Sequence, residues 1–143
     1  MFKGSESPYD PEMPYTLGGS QRAKTNRETF FNKRAQMWWT LRDRFEATYR
    51  AVEKKQYINP EELISLSSDI ESIEQLRSEV CRIPLKRANS GKIQILSKVE
   101  MAKKPYSIPS PNMGDALMMS MHSPKIKNVK PVEIKFTGWK RYG

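Results

Sequence analysis

Asp115 is the acid with the most unusual chemical setting in this 143-residue sequence. Ser110-Pro111 reads as a helix start, with serine as the cap and proline in the first position. That places Asp115 in the first turns, among Met113, Gly114, Ala116 and Leu117. A carboxylate among small and apolar neighbours is costly to bury without a cation or hydrogen-bond donors. Two readings of it stand. Either it sits at the positive end of the helix dipole, or it is a ligand for a hard cation such as Mg²⁺ or Mn²⁺, which takes oxygen donors. One carboxylate does not make a two-metal site, which needs several around ions ~4 Å apart. A Ser-His-Asp or Cys-His device would have to use the single histidine, His122, which has no local partner and reads as a surface residue near a helix C-terminus. The single cysteine, Cys81, excludes an internal disulfide and reads as a small buried apolar residue at a helix end. There is no Cys/His cluster for zinc. Leu17-Gly18-Gly19-Ser20 lacks the lysine and spacing of a phosphate-binding loop, so no ATPase motor is expected.

The elements that must hold these residues follow from caps and periodicity. Residues 1–24 carry Pro8, Pro11, Pro14, Gly4, Gly18 and Gly19 and keep no helical or strand period, so they read as an extended arm. Thr25-Asn26-Arg27-Glu28 fits a capping box. Phe31, Ala35, Trp38, Leu41, Phe45, Tyr49 and Val52 then recur at steps of three or four, which predicts one amphipathic helix over 27–54 with this aromatic stripe in the core. Asn59-Pro60-Glu61-Glu62 opens a second, short helix through Leu63, Ile64 and Leu66, and Ile70, Ile73, Leu76 and Val80 continue at helical spacing with Gln75, Arg77 and Glu79 outward. Ile83–Ala88, the turn Asn89-Ser90-Gly91 and Lys92–Leu96 read as a β-hairpin, with Pro84 at an edge or strand start. The Met-rich helix after Ser110 should run to about Met121 and bury Met113, Ala116, Leu117 and Ser120. Residues 122–143 form a basic tail with a strand expected over Val132–Phe136.

Net charge is +9, which makes a polyanion a plausible partner. The charge is uneven: 59–81 hold six acids against Arg77, while 82–109 hold seven Lys/Arg against Glu100 alone. No stretch approaches a membrane span, and Met1–Glu6 lacks the apolar core of a secretory signal, so a cytosolic protein with no membrane partner is expected.

Four segments carry a family resemblance. Asn32-Lys33-Arg34-Ala35-Gln36-Met37-Trp38-Trp39 resembles a helix opening in phage large terminase nuclease domains, and Pro60-Glu61-Glu62-Leu63 resembles the acidic segment that follows. Gly91-Lys92-Ile93-Gln94-Ile95-Leu96-Ser97-Lys98 is similar to the family's strand segment, and Ser110-Pro111-Asn112-Met113-Gly114-Asp115-Ala116-Leu117 to its closing acidic helix. They occur in family order across roughly residues 26–121. The resemblance implies an α/β, ribonuclease-H-like fold, here an incomplete one over 25–121. It implies a metal-dependent endonuclease that cuts concatemeric double-stranded phage DNA during genome packaging, in the bacterial host cytoplasm, beside the rest of the terminase large subunit and the packaging machinery. Asp115 maps onto the family's last acid, as the candidate catalytic and metal-ligating residue for Mg²⁺ or Mn²⁺. Lys98 maps onto the lysine closing the strand segment, with a role near a phosphate or a carboxylate. Lys92, Lys98, Lys103 and Lys104 are the candidate DNA contacts.

The departures shape the expectation. The family's first strands, with its other two metal-binding acids, and its motor domain are expected to precede residue 1. Asp10 and Glu12 lie in the proline-rich arm and do not replace those acids. Gly114 stands where alanine is usual, which should loosen the helix by up to ~1 kcal/mol. The chain therefore reads as a piece of a split or truncated terminase gene that needs upstream residues to cut. The competing reading is a non-enzymatic basic DNA-binding or packaging-assembly module, or a prophage remnant.

Overall fold

The computed structural model describes residues 3–16, 24–86 and 89–122. The expected tail, with its strand at Val132–Phe136, lies outside these. Five α-helices are present among the described residues: α1 (Asn26–Thr29), α2 (Lys33–Glu53), α3 (Ile73–Cys81), α4 (Lys98–Ala102) and α5 (Asn112–Ser120).

The Thr25–Glu28 capping box forms: the threonine hydroxyl accepts from Glu28 N at 3.2 Å and the Glu28 carboxylate accepts from Thr25 N at 2.9 Å. The helix that it starts does not run on to residue 54. Phe30 turns to an extended conformation, Ile93 N donates to Thr29 O at 2.8 Å, and Phe31 N donates to Ile93 O at 3.0 Å. These bonds make a parallel bridge between Phe30 and Ile93 and bury Phe30 completely. Asn32 then restarts the helix, its side-chain oxygen accepting from Ala35 N at 2.9 Å. A helical period cannot reveal this break, because Asn32 looks like a tolerated polar residue inside the pattern.

The first-turn amides of α2 find an external partner. Lys33 N donates to Glu6 O at 2.9 Å and Arg34 N to Gly4 O at 3.0 Å, so main-chain carbonyls of the N-terminal arm satisfy groups that a helix leaves free. Tyr9 and Gln36 exchange two further hydrogen bonds. Asn26 Nδ2 donates to the carbonyls of Tyr9 and Asp10. The Tyr15 hydroxyl donates to the buried Asp43 carboxylate. Among its described residues the arm is thus bonded to α1 and α2 at several points from Gly4 to Tyr15.

Ala35, Met37, Trp38 and Leu41 of α2 pack with Ile64, Ile95 and Met118 to form the core, with Phe45 half-buried against it. The outer members of the predicted stripe leave it: Phe31, Tyr49 and Val52 are exposed. After α2, Asn59 caps only a single 3₁₀ turn, Pro60–Glu62. Instead of the expected short helix, Leu63–Leu66 returns along α2. Arg44 Nη1 donates to the carbonyls of Glu61 and Leu63, and Ile64 N donates to the Thr48 hydroxyl. Leu76 of α3 is buried, while Cys81 at its end is exposed and not the buried residue expected.

In the hairpin region Leu85 and Ile95 form an antiparallel bridge, with Lys86 N donating to Gln94 O at 2.7 Å and Leu96 N to Pro84 O at 3.2 Å. Among the described residues β pairing is confined to isolated bridges. Pro84 has no N–H with which to extend the ladder, and Ile93 spends its amide on Thr29. Gly91 adopts φ +65°, the left-handed turn conformation that glycine tolerates. No helix among the described residues is long and apolar enough to cross a membrane.

Candidate functional site

Asp115 lies in the first turn of α5 and is 7% exposed. Helix α5 runs Asn112–Ser120 with Pro111 as its N-cap and no side-chain cap of its own, because the Ser110 hydroxyl donates to Asn112 Oδ1. The cap comes from α3: a Glu79 carboxylate oxygen accepts from Gly114 N at 2.9 Å. Desolvation pushes the Glu79 carboxyl up, yet hydrogen bonds from Gly114, Gln75 and Met113 outweigh it and hold its pKa below the ordinary value. Glu79 was expected to point outward. The buried face of α5 is also rotated from the expected one: Gly114, Asp115 and Met118 are buried, while Ala116 and Ser120 are exposed. The acid turns inward because its charge is matched there.

The Oδ1 atom of Asp115 accepts from the Trp38 indole Nε1 at 3.2 Å and lies 3.5 Å from Arg34 Nη2. The Oδ2 atom lies 2.7 Å from Lys98 Nζ. Arg34 is anchored through Nη1, which donates to Leu96 O at 2.8 Å, and its Nη2 makes an ion pair without a hydrogen bond. Burial lowers the Arg34 pKa, and the Asp115 charge opposes that shift. Lys98 is the first residue of α4, which the Ser97–Glu100 capping box starts. The Lys86 ammonium and the Ser97 donors hold the Glu100 carboxyl down to about 2. Ser97→Ala should cost about 1 kcal/mol in a urea melt and disturb the Lys98 resonances in NMR spectra; an unshifted Lys98 would show that the box does not place it.

A cavity of about 570 Å³ opens on this ion cluster, lined by Asp115, Lys98, Arg34, Gln94, Asn112 and Met118, with Gly4 and Ser5 of the arm in its wall. Of the candidate DNA contacts only Lys98 reaches Asp115. Lys92 lines a different cavity with Trp39 and Leu85, and Lys103 and Lys104 are exposed and line neither. His122 follows α5 and stacks on Tyr9 of the arm with ring centroids 3.7 Å apart. It is half-buried, not the surface residue expected, and desolvation lowers its pKa. The residues that sequence reasoning missed are Arg34, given no role of its own, Trp38, read as core alone, and Glu79.

Among the described residues no group of three or more His, Cys, Asp or Glu side chains could hold a metal ion. A hard divalent cation takes six or more oxygen ligands. Asp115 fits as one such oxygen ligand, lining the cavity with two cations beside it, and it belongs to no cluster of three acids among the described residues.

The family model of the terminase RNase-H-like domain matches residues 11–123. No curated protein sequence matches the chain. The fold resembles the solved nuclease domain of the large terminase subunit of bacterial virus Sf6, at 42% sequence identity and TM-score 0.78, over 87% of this chain and 53% of that one. A lysine-to-alanine variant of that domain with manganese gives the same identity, coverage and score. The variant with calcium is 42% identical over 87% of this chain and 52% of that one, TM-score 0.78. The chain spans about half the length of these solved domains.

Proposed function

The chain belongs to the terminase RNase-H-like family, and on that premise we propose that it forms part of a phage DNA-packaging nuclease in which Asp115 is one metal ligand. The observation that carries this reading is the buried Asp115 carboxylate at the head of α5, facing a cavity and flanked by Lys98 and Arg34. Relatives solved with manganese and with calcium support a divalent cation, here Mg²⁺ or Mn²⁺. Such an ion supplies Lewis-acid stabilisation of charge on a phosphate undergoing cleavage.

The remaining ligands come from outside the described residues, in the remainder of the large subunit. The substrate is concatemeric double-stranded DNA, handled with the packaging machinery. Lys98, half-exposed and already on Oδ2, neutralises Asp115 and presents its ammonium to a phosphate. Lys92, Lys103 and Lys104 engage the DNA backbone farther out.

A second reading, a non-enzymatic DNA-binding or assembly module, is favoured by one observation: the described residues hold no complete ligand set. The test combines the chain with the polypeptide that supplies the other acids and measures plasmid cleavage in Mg²⁺ and Mn²⁺. The wild type should cut, and Asp115→Ala should cut slower by at least about 100-fold, since loss of a ligand's mere neighbours already costs about 10- to 100-fold. Equal cutting by both proteins would remove Asp115 from the site. DNA binding that weakens steeply with salt, with no cleavage in any metal, would favour the assembly module.

A further inference from the structure

We propose that Trp38 is a positioning residue for Asp115 and that Gly114 is what lets it act. The inference rests on the reading of Asp115 as a ligand. A carboxylate in a helix's first turn has several staggered orientations open to it. Here one is selected, because the indole Nε1 of Trp38, from the facing helix α2, donates to Oδ1 across a buried contact. The indole N–H depends on the bond. Trp38 is 5% exposed and Asp115 7% exposed, and a buried indole N–H or carboxylate without a partner is penalised. With Oδ1 held by Trp38 and approached by Arg34, Oδ2 is the oxygen left to Lys98 or to a cation.

The indole can lie this close only because residue 114 has no side chain. A Cβ there would meet Trp38 Cη2 at 2.8 Å and Cζ2 at 3.5 Å. The first of these is closer than real contacts allow, and the atom belongs to a rigid ring. Glycine weakens a helix relative to alanine, so position 114 gives up helix stability, and the space gained holds the indole. Glu79 bonded to Gly114 N fixes the same turn from α3.

The test uses the full chain, ¹⁵N-labelled, whose three tryptophans give three indole N–H resonances. Trp38→Phe removes one and so identifies it. Asp115→Ala should move that resonance and leave the other two in place; an unmoved Trp38 resonance overturns the hydrogen bond. Mn²⁺ itself is the second probe, added to the labelled chain combined with the polypeptide that supplies the other acids and read by paramagnetic broadening around α5. Trp38→Phe should weaken Mn²⁺ binding by roughly 10-fold, the range for a ligand's hydrogen-bond partner. Gly114→Ala should shift the Trp38 resonance and weaken Mn²⁺ binding similarly, and the double variant should lose little more, because both changes break one contact. Should Trp38→Phe fail to fold, Gly114→Ala carries the same comparison.

Unchanged Mn²⁺ affinity in the folded Trp38→Phe or Gly114→Ala variants overturns the positioning role while leaving Asp115 as a ligand. An equal Mn²⁺ response in wild type and Asp115→Ala, including none in either, removes the ligand reading and the proposal with it.

Discussion

Phe30→Ala is expected to destabilise the chain by about 3–5 kcal/mol, the range for emptying a large aromatic site in a core. Phe30 is fully buried, meets Tyr15 edge-on with ring centroids 4.8 Å apart, and sits where α1 breaks to pair with Ile93. Three parts of the molecule therefore lean on one ring: the arm, the α1–α2 joint and the hairpin region. Domains of this size hold roughly 5–15 kcal/mol in total, so the loss is a large share of the whole. The neighbouring Phe31 is 51% exposed, and Phe31→Ala should stay within about 0.5 kcal/mol of wild type. Urea midpoints for both variants decide the matter. Equal costs would mean that the joint is not built on Phe30.

The second large effect falls on Asp115, and its sign is informative. Where several acids share a metal site without its ion, removing one acid relieves repulsion and stabilises the fold. Here the acid stands between two cations, so Asp115→Ala should destabilise by about 3–5 kcal/mol, as for any buried pair left with one partner. Lys98, with its side chain about half exposed, can turn to water. Arg34 cannot do so as easily: its side chain is 14% exposed and its Nη2 has no hydrogen-bond partner. The Trp38 N–H loses its acceptor as well. Adding Arg34→Met should recover part of the loss, since a long apolar side chain in place of a stranded cation is frequently neutral or better. A thermal melt in which Asp115→Ala matches or exceeds wild type would show that the ion cluster does not hold this site together.

Features written in side chains close together in sequence were legible. The Thr25–Glu28 box was visible from the sequence, and so was the Asn59 cap, though not the shortness of the turn it starts. Asp115 drew notice because an acid among methionines and small residues asks for a partner. The partners themselves were not legible. Arg34 and Trp38 lie 81 and 77 residues away from it in sequence, and nothing local to α5 announces them. The helix break escaped because Asn32 obeys the helical period while acting as a cap. The seat of the arm escaped for a deeper reason: its bonds to α2 run through the carbonyls of Gly4 and Glu6, groups that every residue carries. The face of α5 was misjudged by assigning inward positions to apolar residues, when the inward positions are taken by a glycine under an indole and by a paired acid. Lys92, Lys103 and Lys104 lie apart from Asp115, and a charge in the sequence does not say where it will sit.

The stack of Tyr9 on His122 gives the described chain a particular topology. A residue near its beginning and the residue just past its last helix lie ring against ring at 3.7 Å, so the path between them is a closed circuit pinned without a covalent bond. Closing so long a circuit carries an entropic cost that grows only slowly with length, and the arm's hydrogen bonds to α2 share in meeting it. For protein engineering, the beginning and end of the circuit are already neighbours. A new pair of termini belongs elsewhere on it, at the turn after α2, where Tyr57 is 94% exposed.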